Sequence, residues 1–334
     1  MSENKEFALS ASKISSYLKC SWIYYMENVI RMADGGNDGS RRGSISHNIF
    51  ERWIQPEYRI RVENILKHGS IYCDEELIQE IKDEIEEIGL GEEDNKGQNN
   101  FEMICDMIYV GFSYDFYCDG WEIDYDNLEK KFELRSKNPP YVIRGLIDKP
   151  AKKDGMYRIS DYKTSAQKRT ESELEFEIQA LSYTLFAKKE LLMDAFVEFI
   201  FLRYPKDPIN RVENITEDQL KGFEEYLSSL YLYLKDFDEE KAKSNMAADL
   251  GFPKGGGFKG LVVCGRATHE GQLKKDGTLM WHCPYKFGFK YYSRRDRLGN
   301  IIESSKDEEV LLDRVKEGEY IAEHTYLGCP KFNS

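Results

Sequence analysis

No stretch of this 334-residue chain approaches the run of about 18 apolar residues that a membrane-crossing helix needs. The opening, MSENKEFALS, also lacks the apolar core of a secretory leader, so the sequence leads us to expect a cytoplasmic protein that does not engage a membrane. There is no Gly-x-x-x-x-Gly-Lys-Ser/Thr, and any step driven by nucleoside triphosphate would have to come from a partner. The seven cysteines are odd in number, which argues against a disulfide framework and leaves thiols that are free or metal-bound. Positive charge is in short supply: 47 Lys and Arg face 60 Asp and Glu, for a formal charge of −13. That balance excludes a surface coated in phosphate-binding cations, though not a local basic patch.

What is present fits a soluble globular protein, with 41% hydrophobic and 32% charged residues. Much of the acid lies in DEELIQEIKDEIEEIGLGEED (74–94), where Leu77, Ile78, Ile81, Ile85 and Ile88 recur at helical spacing; this predicts an amphipathic helix with a solvated acidic face. Basic residues gather at SRRG (40–43), between Lys149 and Arg169, and at KYYSRRDR (290–297). Gly-rich stretches at 33–43, 89–100 and 251–260 read as loops or boundaries. They suggest three parts: a mainly helical 1–125, a mixed α/β core over 126–205, and a helix plus cysteine-bearing tail over 206–334.

The hydrophobic period changes in the middle part. LEKKFELR (128–135), YVIRGLID (141–148), MYRISDYK (156–163) and FVEFIFL (196–202) read as strands, with KKDG (152–155) as the hairpin turn between the second and third. Before the fourth strand a helix is predicted, opened by Ser172 and Glu175 at capping-box spacing; a second box, Thr216 with Gln219, opens another.

Side chains alternate faces along a strand, so Asp161 and Lys163 point one way and Tyr162 the other. A hairpin would bring Asp148, at the end of one run, near Asp161. Two carboxylates and an ammonium in one small site suit metal-assisted phosphodiester hydrolysis: Mg²⁺ or Mn²⁺ takes oxygen ligands and acidifies a bound water, and lysine can hold that water or the phosphate. Downstream, Gln179 and Tyr183 share a helix face; upstream, His47 follows Gly43 by four residues.

This ordered set resembles the RecB-type branch of the PD-(D/E)XK nuclease superfamily, the branch of exonuclease V and the CRISPR-adaptation exonucleases. Gly43 to His47 matches its Gly-x-x-x-His, Gly145 to Asp148 its Gly-x-x-Asp, Asp161 to Thr164 its Asp-x-Lys-Thr, and Gln179 to Tyr183 its Gln-x-x-x-Tyr. Ser12, Tyr17 and Cys20 match its opening motif loosely. The resemblance implies a restriction-endonuclease-like fold, a mixed central sheet flanked by helices, and a DNA nuclease working in recombination, repair or phage DNA processing, with a helicase or recombination partner. It implies His47, Asp148, Asp161 and the Tyr162 carbonyl as metal ligands, Lys163 at the attacking water, and Gln179 and Tyr183 at DNA or ordering the site. Glu133 matches a supporting acidic position, with Glu129 as its competitor. A non-catalytic nucleic-acid-binding or scaffolding protein, or an RNA endonuclease, would use the same fold.

Several members of that family hold a [4Fe-4S] cluster with one early and three late cysteines. Cys20, Cys264, Cys283 and Cys329 supply the four thiols, but the late three are separated by 18 and 45 residues rather than bunched. Three alternatives stay open: a cluster; zinc, using Cys264, His269, His282 and Cys283 or His324 and Cys329; and free thiols. The aromatic and basic stretch MWHCPYKFGFKYYSRR reads equally as a grip for single strands or as an ordinary strand.

Overall fold

The computed structural model describes residues 6–32, 37–94, 96–170, 177–249 and 263–332. The chain forms two compact units, one of residues 1–8 and 36–231, the other of residues 9–35 and 232–334. In chain order, α1 (Ala11–Lys19) and α2 (Ser21–Tyr24) belong to the second unit.

The first unit begins its helices with α3 (Asp38–Trp53), whose start is fixed by Asn37 accepting from Ser40 N–H at 3.0 Å. The SRRG stretch expected in a loop therefore lies inside a helix: the Asn37 cap starts the helix upstream of Gly39 and Gly43, and both are accommodated in it. Then follow α4 (Arg59–His68), α5 (Glu75–Ile88) and α6 (Asn100–Ser113). The acidic block is the expected amphipathic helix: Leu77 and Ile81 are buried and Ile78, Ile85 and Ile88 pack on the same core. That core joins Ile45, Ile49, Phe50 and Trp53 of α3 with Ile104 and Ile108 of α6 and with Tyr162 and Ile200 beneath them.

The strands are β1 (Glu122–Ile123), β2 (Lys130–Lys137), β3 (Pro140–Ile147), β4 (Lys149–Lys153), β5 (Met156–Lys163), β6 (Asp194–Phe201) and β7 (Ile209–Val212). Five form a mixed sheet in the order β1-β4-β5-β6-β7, while β2 and β3 make a separate antiparallel pair. Within this sheet β5 and β6 run parallel, and α7 (Ile178–Phe186) lies between them in the chain as the crossover. After Thr216 and Gln219 have exchanged the two expected capping bonds, α8 (Glu217–Leu234) follows. The Ser172–Glu175 box lies outside the described residues.

One expectation is corrected. The run 141–148 is not the hairpin partner of 156–163; it pairs with β2, and the chain crosses to the central sheet at Asp148, so that β4 pairs with β5 around Asp154 and Gly155. Both turn residues have positive φ, 48° and 79°, as a two-residue primed turn requires. The split has a side-chain cause, since Asp148 accepts the Tyr162 N–H at 2.9 Å through its own carboxylate, in place of a ladder bond.

In the second unit, β8 (Phe289–Arg295) is the middle of a three-stranded antiparallel sheet with β9 (Ile301–Ser305) and β10 (Tyr320–Tyr326). The aromatic stretch is thus in part a strand, its rings engaged with neighbours: Tyr291 stacks on His324 at 4.8 Å and Phe289 meets Tyr326 at 4.8 Å. Among the described residues no helix is long and apolar enough to cross a membrane.

Candidate active site

Two glycines set the approach of the elements that carry the site. A Cβ on Gly43 of α3 would stand 3.1 Å from Thr164 Oγ1, so glycine lets α3 lie against the end of β5. A Cβ on Gly145 of β3 would fall 2.3 Å from the ring of Phe132, its partner on β2. One turn beyond Gly43, His47 presents Nδ1 to Asp148 Oδ2 at 3.5 Å and to Glu129 Oε1 at 3.6 Å. Ligand atoms of His47, Glu129 and Asp148 all lie within 4.8 Å of one another.

Beside this group, on the face of β5 covered by α7, Asp161 Oδ2 accepts from Gln179 Nε2 at 2.6 Å and stands 2.8 Å from the Tyr183 hydroxyl. Gln179 also donates to that hydroxyl, and through Oε1 it accepts from Lys163 Nζ at 2.6 Å. The single Tyr183 proton can serve either Asp161 or the Leu146 carbonyl, 2.6 Å away. Lys163 Nζ stands 2.5 Å from Asp161 Oδ1 in an ion pair, yet this buried oxygen accepts no hydrogen bond. Tyr162 points into the opposite layer, its ring 4.3 Å from that of Phe50.

The electrostatics are those of a site with too much negative charge. Burial would lower the His47 pKa, but Asp148, Glu129 and Asp161 together outweigh it and raise it to about 9. Burial and the neighbouring Asp161 raise the Asp148 carboxyl above its usual range, against the opposing pull of His47. Burial and Asp161 hold the Tyr183 phenol well above its ordinary value, so it stays a donor. A divalent cation would relieve this excess, and the donor set fits one: a nitrogen, carboxylate oxygens and a buried, under-bonded Asp161 Oδ1.

The sequence profile of the PD-(D/E)XK nuclease superfamily matches residues 8–249, well over half of the chain. The chain belongs to the PD-(D/E)XK nuclease superfamily. No curated protein matches it in sequence. Among solved structures it is similar to a protein from Eubacterium rectale described as a candidate exonuclease, at 13% identity and a TM-score of 0.41, with 74% of this chain and 93% of that one covered. The fold is that of the superfamily, a mixed sheet flanked by helices.

Within this superfamily member, the residues expected from sequence divide into two groups. His47, Asp148, Asp161, Lys163, Gln179 and Tyr183 are brought together. Glu133 is not among them: it lies on the outer face of β2 and pairs with Arg144 at 2.6 Å and Arg135 at 2.7 Å, because Phe132 and Leu134 take the inward positions. Its competitor Glu129 occupies the site. No periodicity marks it, since it precedes β2 in a left-handed conformation, φ 45°, that costs a non-glycine residue about 1 kcal/mol. Its N–H donates to the Asp148 carbonyl at 3.2 Å, which ties the two acids together through the backbone.

The four cysteines of interest meet in the second unit. Cys20, Cys264, Cys283 and Cys329 line one largely apolar cavity with Trp22 and Tyr285. Short backbone links draw them in: Cys283 N–H donates to the Cys264 carbonyl at 3.3 Å, Cys329 N–H to the Lys286 carbonyl at 3.2 Å, and Ala247 N–H to Cys20 Sγ at 3.4 Å. Burial pushes the Cys264 thiol up to about 11 and Cys283 to about 12, and also raises Cys329. Neither His269, exposed beside Glu270, nor His324, 2.8 Å from Ser293 Oγ, lines this cavity.

Proposed function

We infer that the protein is a metal-dependent DNA nuclease of the RecB type that acts as an exonuclease in recombination, repair or phage DNA processing. One observation carries the reading: three ligand-bearing side chains, His47, Glu129 and Asp148, converge within 4.8 Å beside a strand that ends in Asp161 and Lys163. The acids, His47 and the Tyr162 carbonyl would hold Mg²⁺ or Mn²⁺, which supplies an acidified water and neutralises charge on the phosphate. The chain does the positioning. Gln179 and Tyr183 fix the Asp161 carboxylate through Oδ2, leaving Oδ1 beside the Lys163 ammonium, and Gln179 together with Asp161 aims that ammonium. From there Lys163 would orient the attacking water or the scissile phosphate.

The same reading gives the second unit a [4Fe-4S] cluster on Cys20, Cys264, Cys283 and Cys329. Four sulfurs line one cavity, yet among the described residues no three of them lie within 4.8 Å of one another. A single zinc with bonds of about 2.3 Å would require sulfurs roughly 3.8 Å apart, so the wider spacing favours the larger cofactor over zinc. In this reading residues 126–205 are the catalytic core, the tail is stapled by the cluster to the N-terminal part, and a helicase partner supplies unwound strands.

The test is cleavage of end-labelled single- and double-stranded DNA and RNA with Mg²⁺ or Mn²⁺, comparing wild type with Lys163→Ala and Asp161→Ala. Loss of cleavage by about 10³-fold or more in both variants, with folding intact, is the expected result. Folded, metal-replete wild type that binds DNA and cuts nothing would sink the catalytic reading; cleavage of RNA alone would move the substrate.

A further inference from the structure

A second cleft, of about 400 Å³, opens in the first unit at the other end of the central sheet. It is lined by Met156 and Asp194, the first residues of β5 and β6, and by Thr184 of α7 and Glu217 of α8. Met156 and Lys163 are the two ends of β5, which places this cleft about 20 Å from the acid cradle at roughly 3.3 Å per residue. Its volume falls in the range of small-molecule sites.

Three features define what it would hold. Thr184 is 6% exposed, and its hydroxyl has no hydrogen-bond partner among the described residues. A helical threonine ordinarily returns this bond to the carbonyl four residues back; leaving it unmade costs about 1–3 kcal/mol unless something entering the cleft makes it. The rim is acidic: Asp194, Glu213 and Glu217 stand against two cations, Lys188, which is 2.7 Å from Asp194 and 4.0 Å from Glu217, and Arg211, which is 3.1 Å from Glu213. Between rim and floor the walls are apolar, formed by Met156, Met193, Ile215 and Leu220.

An acceptor at the floor, methylene-compatible walls and net negative charge at the mouth complement an aliphatic chain carrying an ammonium at each end. We propose that this cleft binds a linear polyamine, with one ammonium donating to Thr184 Oγ1 and another held by Glu213 and Glu217. The site stands apart from the residues of the nuclease reading and does not depend on it.

Calorimetric titration of the full chain with spermidine at low ionic strength tests this. Saturable binding at one site is expected, weakened about tenfold by Thr184→Val, which removes one charge-assisted hydrogen bond at nearly constant shape. The double variant Glu213→Gln/Glu217→Gln, at two exposed positions and with its folding checked by thermal melting, should weaken binding and flatten its salt dependence. Asp161→Asn should leave the affinity within about twofold. The proposal is overturned by many weak sites instead of one, by affinity unchanged in the Glu213/Glu217 variant, or by loss confined to Asp161→Asn. A lysine-rich peptide that binds the cleft more tightly than spermidine, and loses affinity in the same variants, would overturn it in favour of a protein partner.

Discussion

The acid cradle at the end of β5 and the cysteine cavity of the second unit differ in how they carry charge without a cofactor. In the cradle, Asp148, Asp161 and Glu129 are crowded against one histidine and one lysine, and the crowding shows as a raised Asp148 carboxyl and an imidazole held protonated to about pH 9. In the cavity the walls are largely apolar, with the Lys286 ammonium turned to the Gly265 carbonyl at 3.0 Å, and burial keeps Cys264, Cys283 and Cys329 as neutral thiols. The cradle therefore stores repulsion that a cation would relieve, whereas the cavity stores none and must lose protons before it can bind metal. The first holds crowded like charge at a cost to stability; the second holds no crowded acids.

The sharpest way to break the comparison is to exchange the two candidate acids. Glu129→Gln should cut cleavage by about 100-fold, the order expected when a metal-supporting carboxylate is lost, with full activity partly restored at higher metal concentration. Glu133→Gln, which touches only exposed Arg135 and Arg144, should stay within about twofold of wild type. Equal losses in the two variants would mean that the cradle is not built around Glu129.

Why one acid was legible and the other was not follows from how each is placed. Asp161, Lys163, Gln179 and Tyr183 are fixed by the period of one strand and one helix, so spacing alone puts them on shared faces. Gly43 and His47 are likewise one helical turn apart. Glu129 owes its position to a single positive-φ residue and a backbone bond to Asp148, neither of which leaves a pattern in sequence. The division of the expected second strand at Asp148 was hidden for a similar reason: a side-chain bond to Tyr162, not a turn signal, marks the crossing between sheets. The meeting of the four cysteines was not legible either. Their spacing of 18 and 45 residues is closed by tertiary links such as the Gly265–His282 bridge, which sequence separation cannot show.

A pair of substitutions tests the stability half of the comparison. Asp148→Asn removes one of the crowded charges and should abolish cleavage while raising the melting stability of metal-free protein by about 1 kcal/mol, the usual exchange of activity for stability. Cys283→Ser should do the reverse. It should lower the stability of anaerobically purified protein by about 2 kcal/mol and remove any absorption near ~400 nm, while leaving cleavage by the folded fraction intact. Thermal denaturation of both variants beside wild type reads the two signs together, and a stability loss in Asp148→Asn would show that the cradle stores no repulsion.

The smallest effect belongs to a carboxylate whose charge the protein itself answers. Asp74 caps α5 by accepting from Leu77 N–H at 3.0 Å and is clasped by Arg61, with Nε 2.9 Å from Oδ2. Burial alone would raise its pKa, but the Arg61 guanidinium and the helix N–H groups outweigh burial and leave it lowered. A lowered carboxyl contributes stability that is fully present above its unfolded value of about 3.9 and fades as pH falls through the folded value. Asp74→Ala should therefore cost about 1 kcal/mol at pH 7 and progressively less below pH 4, measured by urea unfolding across that range. Asp148, raised rather than lowered, should show the opposite slope in metal-free protein. Its ionised form is the one the fold opposes, so replacing it gains most above the folded value of about 7, progressively less as pH falls, and nothing below the unfolded value of about 3.9, where the group is protonated in both states.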